Sequence, residues 1–163
     1  MSDIDASRAQ RAIDRTEIQY VLSRYSVAID TRDVAMFDTV FSEDAELDFG
    51  GFRGVMTRAQ FKDRIANLTY VDSTQHLMGL PTIDVDGDRA TTRTYFASQH
   101  VRDSLAPHHT MLIGGWYDDA FERIGGEWLI TSRRVTGVWA QGNPAVMGAE
   151  EFMGNRRPQD AAA

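Results

Sequence analysis

The stretch that decides the fold is Leu112-Ile113-Gly114-Gly115-Trp116-Tyr117-Asp118-Asp119-Ala120-Phe121-Glu122-Arg123-Ile124-Gly125-Gly126-Glu127-Trp128. It is rich in aromatic and branched residues, as strands are. Gly125-Gly126 reads as a tight connection to a further strand. The glycine pair in mid-run, Gly114-Gly115, marks a bulge or a sharp bend. The segment therefore reads as a long, bent strand followed by its antiparallel neighbour.

Working outward, the same texture runs from Ser73 to Trp139. A run over residues 73–85 ends at Asp86-Gly87, a strong hairpin dipeptide. Runs over 89–101, 109–123 and 128–139 follow. The first half is helical. Ile18, Val21, Leu22, Tyr25 and Ile29 make one apolar stripe, on a helix that starts within Ser7 to Thr16 and ends near Asp30 to Arg32. A second helix is expected over 33–41, capped by Asp33, and a third over about 57–68, capped by Thr57. Residues 45–49 followed by Gly50, Gly51 and Gly54 suggest a short strand pair around a glycine turn. Three helices followed by an antiparallel meander define an α+β domain in which one curved sheet, wrapped by helices, makes a cone with a pocket inside. It spans residues 8–149, with mobile ends at 1–7 and 150–163.

Composition narrows the chemistry. The chain has 163 residues, no cysteine and a formal charge of −7. There is no thiol nucleophile, disulfide or thiolate metal site. Lys62 is the single lysine, which leaves little for Schiff-base chemistry. The acidic balance argues against nucleic acid and against an anionic membrane surface. No leader-type apolar segment opens the chain, and its longest apolar stretch, Met111 to Tyr117, is far short of the ~20 residues of a membrane span. The expectation is a cytoplasmic domain.

Two positions suggest catalysis. Asp30 closes the first helix. His76 shares a strand face with Thr74, Met78 and Leu80 by period-2 alternation, and that face is the expected interior. A carboxylate that accepts one imidazole N–H fixes the tautomer and stabilises the imidazolium, so the other nitrogen can take a substrate proton. Tyr25 lies on the helix stripe five residues before Asp30.

Three segments carry a family resemblance. Arg24 to Arg32 resembles a first-helix ending that bears a catalytic aspartate. Thr74 to Gly79 resembles the strand that bears its histidine. Leu112 to Tyr117, with Phe121-Glu122-Arg123 and Glu127-Trp128, resembles the paired C-terminal strands. Over residues 8–145 the chain is identified as resembling the SnoaL-like group of the nuclear-transport-factor-2 (NTF2-like) superfamily.

The resemblance implies an NTF2-like cone with a deep pocket. Its Asp–His pair resembles that of dehydratases and a dehydrochlorinase in this family, which eliminate without metal or organic cofactor. It implies His76 as base, Asp30 as its orienting partner, Tyr25 as help at a carbonyl or leaving group, and Arg133 as help for a departing anion. The implied substrate is a hydrophobic cyclic, polyketide- or steroid-like compound, and the assembly a homo-oligomer, trimer or dimer. Two alternatives stand beside the lyase. One is an isomerase or cyclase with no leaving group. The other is a non-catalytic binding module, such as the small subunit of an aromatic-ring dioxygenase.

The remaining candidates are weaker. His108 and His109 are adjacent and point opposite ways in an extended chain, so no metal site is expected, and Pro107-His108-His109 reads as a hairpin connection. His100 shares parity with Phe96 and Ser98 and is expected in the pocket with Phe49, Met78 and Phe96. Gly50-Gly51 and Gly114-Gly115 lack the context of phosphate loops. Trp116, Trp128 and Trp139 could line a substrate wall with Phe49 and Phe96, but sheet core and subunit contact suit at least two of them better. Asp118-Asp119 reads as a solvated strand face.

Overall fold

The computed structural model describes residues 3–50 and 53–148. The elements are α1 (Asp3–Thr31), β1 (Phe41–Asp48), β2 (Val55–Thr57), α2 (Arg58–Ala66), β3 (Ser73–Met78), β4 (Thr82–Asp86), β5 (Arg89–Val101), β6 (Thr110–Ile124) and β7 (Glu127–Gly142). One open sheet runs β2-β1-β7-β6-β5-β3, with β4 also on β5. The α+β class and the long strands follow the sequence closely. No helix among the described residues is long and apolar enough to cross a membrane.

Helix α1 lies across β3, β4 and β7. Of its expected stripe, Ile18, Val21, Leu22 and Tyr25 are buried and Ile29 is half-buried, with Ala28 buried beside them. The helix begins at Asp3, earlier than expected, so residues 3–7 are helical. That first part has no apolar periodicity to read. Local pairs such as Gln10 Nε2 to Asp14 (3.0 Å) support it instead, and Asp14 meets Arg123 of β6 at 2.5 Å. The expected mobile tail at 150–163 lies outside the described residues.

Two α-helices stand where three were expected. The segment after α1 makes one 3-10 turn, Met36–Thr39. Its N-cap is Ala35, without a side-chain cap, rather than Asp33, whose carboxylate accepts from the N–H groups of Ala35 and Met36 at 3.1 Å each as the chain enters the turn. Phe41 then enters β1 opposite Ile130 rather than closing a helix. Helix α2 starts as read, with Thr57 and Gln60 in a reciprocal capping box and Phe61 and Ile65 buried.

The sheet is mixed rather than antiparallel throughout, because β1 pairs parallel with β7. These strands are far apart in the chain, so no hairpin fixes their relative direction. The run over 73–85 divides into β3 and β4, both paired with β5. Pro81 has no N–H to give a ladder, and the chain leaves the sheet there. Leu80 is 89 % exposed and does not share the His76 face. Register shifts at Gly114/Gly115 and at Ala120/Phe121 bend the β6–β7 pair. A Cβ at Gly115 would stand 1.9 Å from the Thr136 carbonyl oxygen, so only glycine lets the strands close there.

Pairing orders the inner face of the sheet into rows. Met78, Phe96 and Gly115 form one row, and His76, Ser98 and Ile113 the next. Thr74, His100 and Met111 form the row at the far end. On the other side of the first row come Thr94, Tyr117 and Val135, then Thr92, Asp119 and Arg133. The helices cover this face.

Candidate active site

Helix α1 ends beside β3. The N–H of Asp33 bonds back to the Ala28 carbonyl at 3.0 Å, and Arg32 takes a left-handed conformation with φ of 56°. The Arg32 guanidinium donates to the Val71 carbonyl and, at 3.4 Å, to that of Asp72. The helix end is thereby tied to the chain entering β3.

A carboxylate at a helix C-terminus meets the negative end of the dipole and needs donors to compensate. Asp30 has three. Thr74 Oγ1 donates to Oδ1 at 2.8 Å, the His76 backbone N–H to Oδ2 at 2.8 Å, and His76 Nδ1 stands 2.6 Å from Oδ1. Burial raises the Asp30 carboxyl, but these donors outweigh it and hold it below its ordinary value. With Asp30 ionised, Nδ1 carries the proton and Nε2 keeps its lone pair.

The His76 ring is buried among aromatics. Tyr25 lies edge-on at 6.4 Å between centroids, and His100 edge-on at 5.7 Å. Burial, reinforced by the His76 imidazole beside it, lowers His100 to about 4, so it is neutral at neutral pH. Its Nδ1 is buried without a hydrogen-bond partner. Phe96 stacks on Tyr117 at 4.4 Å, and Met78 packs against the same core. Phe49 stacks on Phe61 at 5.7 Å on the β1 side.

Arg133 faces the interior while Arg134 faces out, as alternation requires. Its side chain is fully buried and binds Asp119 through Nε (2.7 Å) and Nη2 (2.8 Å). Its Cζ sits 4.0 Å from the Tyr25 ring centroid and 4.3 Å from that of Tyr117. Burial disfavours the guanidinium charge, and the Asp119 carboxylate more than restores it.

Asp119 was expected in solvent with Asp118, and here the structure corrects the reading. Asp118 faces out to Arg93, whereas Asp119 is buried. The signal was present. Asp118-Asp119 lies opposite Arg134 and Arg133 across the β6–β7 pair, and adjacent strand residues cannot share a face. Tyr117 is the other residue that sequence reading left out of the site.

A groove of about 680 Å³ lies on the outer face of the sheet, lined by Glu46, Asp48, Asp84, Arg93, Asp118 and Arg134 among others. Of the eight expected site residues only Arg133 borders it. Trp128 is core, while Trp116 and Trp139 lie on the outer face. His108 and His109 lie in the β5–β6 connection, as expected.

Residues 10–134 match the family model of the SnoaL-like domain. The chain belongs to the SnoaL-like domain family. An uncharacterised protein of Mycobacterium tuberculosis is 34% identical over 125 residues, covering 76% of this chain and 84% of that one. A Novosphingobium aromaticivorans structure provisionally named a scytalone dehydratase superposes with a TM-score of 0.75 at 20% identity, covering 83% of this chain and 91% of the other. A hexachlorocyclohexane dehydrochlorinase superposes at 0.73 and 19% identity, covering 87% and 93%. At such identities these structures establish the fold, which is NTF2-like, as in a Salmonella enterica member of that superfamily.

Proposed function

We propose that this SnoaL-like protein is a cofactor-independent lyase of dehydratase type, acting on a hydrophobic cyclic compound. The observation that carries the reading is the 2.6 Å contact between Asp30 and His76 Nδ1 on the aromatic-lined inner face of the sheet. His76 Nε2 takes a proton from carbon, the C–H electron pair forms the new double bond, and the bond to the leaving group breaks. The proton then held by His76 can be returned to a departing hydroxide, which leaves as water. Asp30 stabilises the imidazolium in between. Tyr25 supplies a neutral hydroxyl beside the base, since burial raises its phenol.

The test is turnover of a panel of hydroxylated and halogenated cyclic ketones by wild type, His76→Ala and Asp30→Asn. Loss of water or halide, read by product mass, is expected in wild type and lost in both variants. Turnover that survives both substitutions overturns the reading. A product of unchanged mass, lost with the dyad, marks an isomerase instead.

The outer sheet face exposes Leu77, Tyr95, Val138 and Trp139. We propose that a second copy of the chain covers it, making a homo-oligomer.

A further inference from the structure

The dyad accounts for a proton acceptor but not for the polar side chain that stands opposite it. Strand β3 ends the sheet on one side and pairs with β5. The His76 N–H points away from β5, to Asp30 Oδ2 at 2.8 Å. His76 and Ser98 are therefore an opposed pair with no backbone hydrogen bonds between them, the closer of the two antiparallel kinds. Their Cβ atoms stand roughly 4.5–5.5 Å apart on the inner face. Ring Nδ1 also faces Asp30, beyond the free edge of β3, at 2.6 Å. Nε2, on the other side of the ring, is thus turned towards β5 and the Ser98 side chain.

Ser98 is 3 % exposed. Ile113 stands beside it in the same row, and Phe96 and Met78 in the next, so it is a small polar group on an apolar surface. The Thr74 hydroxyl is committed to Asp30. Among the described residues none takes up the hydroxyl of Ser98. A buried hydroxyl calls for a partner, and one beside the acceptor nitrogen of a base finds it in the substrate.

We infer that Ser98 is a specificity-determining residue, whose hydroxyl holds the oxygen that leaves and so selects a hydroxyl over a halide as leaving group. The inference rests on the dyad reading and names the group that the site expels. The C–O bond breaks with its electron pair left on oxygen, and His76 Nε2 returns to that oxygen the proton it took from carbon. The departing oxygen must therefore come to Nε2, which brings it to Ser98. The Ser98 O–H donates to it as the bond breaks. In the bound substrate the same Ser98 oxygen can accept the substrate O–H. Carbon-bound chlorine is a weak acceptor and carries no donor, so it gains neither bond. A site that hydrogen-bonds a hydroxyl discriminates against the analogue lacking it.

The test compares two members of the cyclic-ketone panel that share one ring and differ only in carrying hydroxyl or chlorine as the leaving group. In Ser98→Ala, kcat/KM for the hydroxylated member should fall about tenfold while that for the chlorinated member is unchanged. A serine that only packs would move both together and leave their ratio as in wild type. An unchanged ratio in Ser98→Ala overturns the inference, and so does a wild type that turns over no hydroxylated member. Failure of the dyad reading looks different: turnover survives His76→Ala and Asp30→Asn, whatever Ser98→Ala does to the ratio.

Discussion

Asp30 holds His76 at two points, accepting its backbone N–H on Oδ2 at 2.8 Å and facing its ring Nδ1 with Oδ1 at 2.6 Å. One carboxylate thus sets both the position of β3 and the orientation of the imidazole. Asp30→Asn leaves a group of the same shape without the charge that stabilises the imidazolium. A fall in kcat of about 10²-fold or more is expected. Thr74→Val removes one donor from the carboxylate and should cost about tenfold. Steady-state kinetics on any active panel member checks both. A carboxyl held low in the folded state contributes stability that is present above its unfolded value and lost as pH falls through the folded one. Asp30→Asn should therefore lose less stability in acid than wild type does, as read by urea denaturation.

His100 gives a second pH effect. Its folded value of about 4 lies below the ordinary histidine value of 6.5. Above 6.5 it is neutral in both states and costs nothing. As pH falls from 6.5 towards 4 the unfolded chain takes up a proton that the folded chain refuses, so stability drops. The loss amounts to about 3 kcal/mol at most. In His100→Phe the slope of unfolding free energy over that range should flatten, measured by urea denaturation at successive pH values.

Arg32 separates backbone strain from side-chain contact. It sits at φ of 56° and donates to the carbonyls of Val71 and Asp72. Arg32→Ala keeps the strain and loses the contacts, whereas Arg32→Gly loses both. The glycine variant should be the more stable of the two by about 1 kcal/mol. Thermal or urea unfolding of the pair decides it, and equal stabilities would count against a strained helix end.

The two glycines in β6 should respond unequally to alanine. At Gly115 the new Cβ would meet backbone, the Thr136 carbonyl oxygen at 1.9 Å. At Gly114 it would meet the ring of Trp139 at 2.1 Å, and that side chain is 48 % exposed and free to turn away. Gly115→Ala should cost about 2 kcal/mol or more, and Gly114→Ala clearly less. Unfolding midpoints with unchanged denaturant slopes measure the difference.

The outer face of the sheet predicts assembly. Leu77→Glu together with Tyr95→Glu places charge in the exposed apolar patch without touching the inner face. Light scattering after size-exclusion chromatography should show wild type as an oligomer and the double variant as a monomer. A wild-type monomer would refute a second copy on this face.

The sequence was most legible where the signal is local. The stripe on α1, the Thr57 cap, the runs over β5, β6 and β7 and the bend at Gly114-Gly115 all stand in the structure. It was less legible where no periodicity exists, as over 3–17, or where a competing pairing wins, as when Phe41 joins β1. Of the residues named from the sequence, the structure brings Asp30 to His76, sets Tyr25 and His100 beside that ring, and buries Arg133 against Asp119. Asp119 was missed although alternation keeps it off the face of Asp118, and Tyr117, on the Asp119 face, was missed with it.

The sequence by itself determined the chemical repertoire: carboxylate, imidazole, phenol and guanidinium, with no thiol and a single amine. It also determined the long strands, because turn dipeptides and alternation are read within a few residues. Only the tertiary structure decided that Asp30 and His76, 46 residues apart, meet at 2.6 Å. It alone decided that Asp119 locks Arg133 beneath two tyrosines. Those contacts depend on the register of β6 against β7 and on the angle at which α1 crosses the sheet. Both are set by packing of distant segments, which no local pattern records.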